Sequence, residues 1–202
     1  MKAVIWHAEG PKLWNAPEGT YKSLFNVFVK NVHPYGIEVI HLTSPGHEVW
    51  GDIGIEYPLN PKHVMLAREQ AFTRFLREKE DDVYWFTEPD IRIVKPIPEL
   101  STDACFLYRP NDGVAITPSF RLVRKAALPI FEYVLEQMNG KRKDWHGDSE
   151  AFASLHKAMG SPAEETINFL GCSVELRKYK DYNTIDGRYM SHHKFTSKLQ
   201  LV

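Results

Sequence analysis

Three segments at the start of the chain restrict its fold more than any other feature. Residues 3–6 (AVIW) are a short, wholly apolar run followed by a turn-rich loop, the pattern of a strand buried on both faces. Residues 21–32 (YKSLFNVFVKNV) place Leu24, Phe25, Phe28, Val29 and Val32 at helical spacing, so they predict an amphipathic helix. Pro34-Tyr35-Gly36 ends it, and residues 37–42 (IEVIHL) predict a second strand. A strand-helix-strand opening of this kind argues for an α/β sheet with a right-handed crossover.

The remainder continues the alternation. Residues 43–61 carry repeated glycine and proline and are expected to be loop. Residues 62–79 hold Val64, Met65, Ala67, Ala71, Phe72, Phe75 and Leu76 on one helical face. Strands are expected at 83–87 (VYWFT), 91–94 (IRIV), 103–108, 113–117 and 173–179. Helices are expected at 120–138 and 145–158. Pro129 inside the first of these helices demands a break or a late start. No internal repeat or linker divides the 202 residues, a length that suits one domain with a substantial core.

A net charge of −1 gives no overall field toward nucleic acid or anionic membrane. Cys105 and Cys172 lack metal-ligand spacing and are too few for a disulfide framework, so reduced thiols are expected. The first residues lack a secretory apolar region, and no stretch approaches a membrane span, so a soluble, cytoplasmic protein is expected.

The chemistry concentrates in residues 81–96, DDVYWFTEPDIRIVKP. An apolar strand ends in Glu88-Pro89-Asp90, and an apolar run resumes at once. In α/β sheets, ligands bind beyond the carboxyl ends of strands. Pro89 fixes its own φ and holds Glu88 extended, so the two carboxylates are preset rather than floppy. Paired oxygens of this kind suit Mg²⁺ or Mn²⁺, which take one or two carboxylates plus substrate phosphates. Taken alone, the tripeptide reads more readily as an acidic turn than as a site; the apolar strand before it and the apolar run after it bring the two readings level.

An apolar strand closing in acid-x-acid, with Lys-Pro close behind, resembles the metal-binding Asp-x-Asp segment of GT-A-fold glycosyltransferases. The resemblance implies a GT-A-like, Rossmann-like fold with a mixed, mostly parallel central sheet flanked by helices. It also implies one domain over 1–202, whose tail, residues 181–202, closes the site. It gives Asp90 the metal role and Glu88 a contact to metal or nucleotide, with Glu standing where the family usually has Asp. It further implies that Arg68 reaches the donor diphosphate, with Arg74 and Arg77 as competitors, and that Trp6 and His7 contact the base. DWHGDSEAF at 144–152 is similar to the family's late acidic segment, which makes Asp148 the catalytic candidate and Trp145 an acceptor platform. MSHHKFTSK at 190–198 resembles the terminal His-x-x-Gly-x-x-Lys segment. His192, with His193 as substitute, would complete the metal site, and Lys198 would contact the diphosphate, although Phe195 replaces the glycine.

The function so implied is metal-assisted transfer of a sugar from a nucleotide-diphosphate donor, UDP-sugars first, to a hydroxyl acceptor. The alternatives are nucleotidyl transfer on a related fold and a non-catalytic nucleotide- or sugar-binding domain. A basic tail with Arg177, Lys178, Lys180, Arg188, Lys194 and Lys198 keeps nucleic acid open as an acceptor, and a homo-oligomer is compatible with so short a chain.

Overall fold

The apolar runs assemble into one eight-stranded sheet in the computed structural model, which describes residues 1–7, 19–109, 115–139, 147–182 and 188–192. β1 (Lys2–Trp6), α1 (Thr20–Val32) and β2 (Glu38–Thr43) form the expected strand-helix-strand start, with β1 and β2 parallel. Next come β3 (Ile53–Glu56), α2 (Val64–Glu78) and β4 (Tyr84–Thr87), followed by the three-residue β5 (Ile91–Ile93). β6 (Ala104–Tyr108), β7 (Ile116–Val123), α3 (Leu128–Met138) and α4 (Gly147–Ala158) build the second half. The chain then runs through β8 (Thr166–Phe169), β9 (Cys172–Lys178), a single turn α5 (Tyr179–Tyr182) and β10 (Met190–His192).

The strand order is β3-β2-β1-β4-β7-β6-β9-β8. Four of its seven pairings are parallel, and β7 runs antiparallel between β4 and β6. β5 and β10 leave this sheet and pair antiparallel with each other as a separate ribbon.

Period-two alternation explains why the central strands read as continuous apolar runs. Val4 and Trp6, Ile40 and Leu42, Tyr84 and Phe86, and Ala104 and Phe106 pack on the face covered by α2, α3 and α4. Ala3, Ile5, Val39, Trp85, Cys105 and Leu107 point the other way, into a second core with Phe25, Phe28 and Val32 of α1. Both faces are buried, so no polar face marks these strands.

Two expectations are corrected. Residues 43–61 are not all loop, because β3 adds a short, largely exposed edge strand there, whose Ile53-Gly54-Ile55-Glu56 is too brief a pattern to stand out from the surrounding glycines and prolines. The segment expected to be helical from 120 begins as strand: β7 extends to Val123 and α3 starts at Leu128, with Pro129 in its first turn, where its missing N–H costs nothing. Pro118 lies where the β6–β7 register shifts, a bulge that tolerates a residue unable to donate to the ladder. The hairpin joining β8 and β9, also unforeseen, turns through Leu170 and Gly171, both at positive φ. Among the described residues no helix is long and apolar enough to cross a membrane.

Candidate functional site

β4 ends at Thr87, and the chain turns through Glu88-Pro89-Asp90, with Ile91 N–H donating to Glu88 O at 3.4 Å. The tripeptide is therefore a turn, and it is also a meeting point. β10 pairs with β5 so that His192 stands opposite Ile91, beside the turn. His192 Nε2 lies 3.5 Å from Asp90 Oδ1 and 3.7 Å from Glu88 Oε2. One ligand atom from each of Glu88, Asp90 and His192 falls within 4.8 Å of the other two. Asp90 is 1% exposed and His192 is buried, whereas Glu88 keeps a quarter of its side chain in solvent. Two carboxylate oxygens and an imidazole nitrogen are a donor set that fits a divalent cation, so these three side chains could hold one.

Arg68 ties this turn to α4. Its Nη1 donates to Glu88 Oε1 at 2.7 Å, its Nη2 to the Asp148 carboxylate, and its Nε to Glu69 Oε1 at 3.0 Å. A guanidinium has five N–H groups, so these three bonds leave two of them unassigned among the described residues. The competing arginines of α2 face outward, Arg74 to Glu78 and Arg77 to Glu132. Asp148 is the second residue of α4 and accepts from Ser149 N–H at 2.7 Å. Burial pushes its carboxyl above the usual carboxylate range, and Arg68 pulls it back only in part.

Behind Arg68 lies a pair that sequence reasoning missed. Arg121 of β7 donates from both Nη1 and Nη2 to the Glu69 carboxylate, and its guanidinium lies over the rings of Phe72, Phe152 and Phe131. Both residues are essentially inaccessible. Burial works to raise Glu69, but Arg121 and Arg68 together hold it below its ordinary value. The available signal was the alternation Phe120-Arg121-Leu122, which puts a charge on a core face of a strand.

The candidate base contacts sit at the carboxyl end of β1. Trp6 packs into the core with its indole N–H unpartnered among the described residues. His7 stacks on Tyr21 at 5.0 Å and on Trp50 at 4.9 Å, and its carbonyl oxygen is 3.1 Å from His41 Nε2. Trp50 N–H donates to His41 Nδ1. Burial lowers His7 to about 3 and His41 to about 4, so both rings are neutral at physiological pH. Trp145, His193 and Lys198 lie outside the described residues.

Solved structures share this architecture. A glycosyltransferase involved in glycosylation of the major capsid of PBCV-1 superposes with a TM-score of 0.61 at 12% identity, over 99% of this chain and 96% of that one. An active-site mutant of the galactosyltransferase LgtC gives 0.59 at 11%, over 100% and 95%. The chain has a GT-A fold. The glycosyltransferase GlyE of Streptococcus pneumoniae TIGR4 shares it at a TM-score of 0.60 and 10% identity, although the GT-A unit seen here spans 55% of that protein against 97% of this one. No protein-family model and no curated sequence matches the chain. Within the GT-A fold, the acid-x-acid turn at the end of β4 brings Glu88 and Asp90 beside His192 of the terminal ribbon.

Proposed function

We propose that the chain is a glycosyltransferase that moves a sugar from a nucleotide-diphosphate sugar, UDP-sugars first, to a hydroxyl acceptor with the help of a divalent cation. The observation carrying this reading is the convergence of Glu88, Asp90 and His192 at the carboxyl end of β4, joined through Arg68 to Asp148. The three solved structures named above support it, since they are glycosyltransferases, and LgtC has been solved with donor and acceptor sugar analogues.

Mn²⁺ or Mg²⁺ held by Asp90, Glu88 and His192 would neutralise charge on the diphosphate leaving group. Arg68 spends one N–H on each of Glu69, Glu88 and Asp148 and offers its remaining two to a phosphate oxygen. Asp148 faces the reacting sugar. If the reaction inverts the anomeric centre, its carboxylate takes the proton of the acceptor hydroxyl; if the reaction retains it, Asp148 stabilises the oxocarbenium-like centre. Lys198, His193 and Trp145, outside the described residues, are the proposed contacts of the diphosphate, the cation and the acceptor, and Trp6 and His7 those of the base.

A thermal-shift screen of UDP, GDP and their sugars, with and without Mn²⁺ or Mg²⁺, tests the reading. A ligand at a hundred times its Kd adds about 2.7 kcal/mol, which for a chain of this size raises the midpoint by roughly 5–10 °C. That rise is expected only when nucleotide and cation are both present. No nucleotide-dependent shift under any condition would refute the proposal. Pyrophosphate release from a nucleoside triphosphate would point to nucleotidyl transfer instead.

A further inference from the structure

Arg92 has no role in the scheme above, yet it is built into the same turn. It lies on β5, two residues beyond Asp90, and its side chain folds back so that Nη1 donates to Pro89 O and Ile91 O, each at 2.8 Å. The residue is 8% exposed, and Nε and Nη2 are buried without a hydrogen-bond partner among the described residues. The other buried arginines differ: Arg68, Arg121 and Arg177 each donate to at least one carboxylate. Asp90 is the carboxylate whose charge Arg92 feels, without a hydrogen bond between the two.

Burying charged donors with nothing to receive them costs several kcal/mol. An apolar residue at this strand position would avoid that cost, as Ile91 and Ile93 do on either side. The unpaired atoms are also not a random subset. Nε–H and the adjacent Nη2–H form the side of the guanidinium fork that binds two oxygens of one oxyanion, while the opposite nitrogen is spent on anchoring.

We propose that Arg92 is a direct contact of the donor diphosphate, its Nε–Nη2 edge taking a phosphate group on the Asp90 side of the cation site. The inference rests on the function proposed above and adds a residue to it. Anchoring through Pro89 O and Ile91 O holds the fork in place before the ligand arrives, so little side-chain entropy is lost on binding. Charge is consistent with this. Arg68, Arg92 and Arg121 stand with the carboxylates of Glu69, Glu88, Asp90 and Asp148. One added divalent cation turns that net negative cluster positive, the sign a diphosphate requires.

The test is calorimetric titration of wild type, Arg92→Gln and Arg92→Lys with Mn²⁺ alone, then with UDP, GDP, inorganic pyrophosphate and the parent nucleosides at saturating Mn²⁺. A charge-assisted pair predicts a loss of roughly tenfold or more in diphosphate affinity for Arg92→Gln. Arg92→Lys should lose less, nucleoside affinity should stay within about twofold, and the Mn²⁺ affinity of Arg92→Gln should hold or rise, since a positive charge that Asp90 feels is removed. Undiminished diphosphate binding by Arg92→Gln overturns the inference while leaving the glycosyltransferase reading intact. Equal losses for Mn²⁺ alone also overturn it, since Arg92 would then only brace the turn. A wild type that binds Mn²⁺ but neither diphosphates nor pyrophosphate refutes both proposals.

Discussion

Asp90→Asn is expected to abolish cation-dependent donor binding and to lower turnover roughly a hundredfold or more, since even residues that merely orient metal ligands cost 10–100-fold. An amide keeps the size and one oxygen but removes the negative charge on which a hard cation depends. The fold should survive, because Asp90 belongs to the turn after β4 and not to the strand ladders. Glu88→Gln should cost less. Glu88 divides its oxygens between Arg68 and the His192 side, and it is the more exposed of the pair. Nucleoside diphosphate release from UDP- and GDP-sugars, at matched unfolding midpoints, measures both variants. Undiminished turnover of Asp90→Asn would rule out a cation held there.

Arg121→Met carries the largest expected effect on stability. It strips Glu69 of two hydrogen bonds while Glu69 remains fully buried, and breaking one side of such a pair costs about 3–5 kcal/mol. For a chain near 200 residues that corresponds to a midpoint lower by roughly 6–20 °C. The loss of cation–π contact with Phe72, Phe131 and Phe152 adds to it. Function should suffer beyond stability. Glu69 also receives Arg68 Nε, and Arg68 in turn holds Glu88 and Asp148, so the ion pairs form one chain from β7 to the turn. Denaturant unfolding of Arg121→Met, Glu69→Gln and the double variant measures the coupling. The double loss should be clearly smaller than the sum. A single-variant loss under about 1 kcal/mol would show that the pair is energetically idle.

The strands and helices easiest to read were those whose burial is simple. β1, β2 and β4 are apolar on both faces, and α1 and α2 carry continuous apolar stripes, so each was placed within about two residues. Failure came where tertiary partners license an unusual residue. Arg121 occupies a core position only because Glu69 and three phenylalanines receive it, and without that knowledge residues 120–123 pass as the start of an amphipathic helix. Glu69, on the same helix as Arg68, likewise reads as a solvated face. β10 is three residues long and pairs with β5 across about a hundred residues of sequence, so no local pattern announces it. The acid-x-acid turn, Arg68, Asp148 and His192 were visible as residues, but their meeting depended on that ribbon and on α4. Arg92 lies inside the strand expected at 91–94, and no local pattern marks its side chain as folding back onto the turn.

Asp90, Glu88 and His192 are proposed to hold the cation that binds a nucleotide diphosphate. Anomalous diffraction from crystals grown with Mn²⁺ and UDP or GDP tests it most directly. A Mn²⁺ peak ligated by Asp90, His192 and the nucleotide's phosphates, with Glu88 alongside, is the expected result. Nucleotide bound with Mn²⁺ elsewhere, or Mn²⁺ at this turn with no phosphate near it, would contradict it.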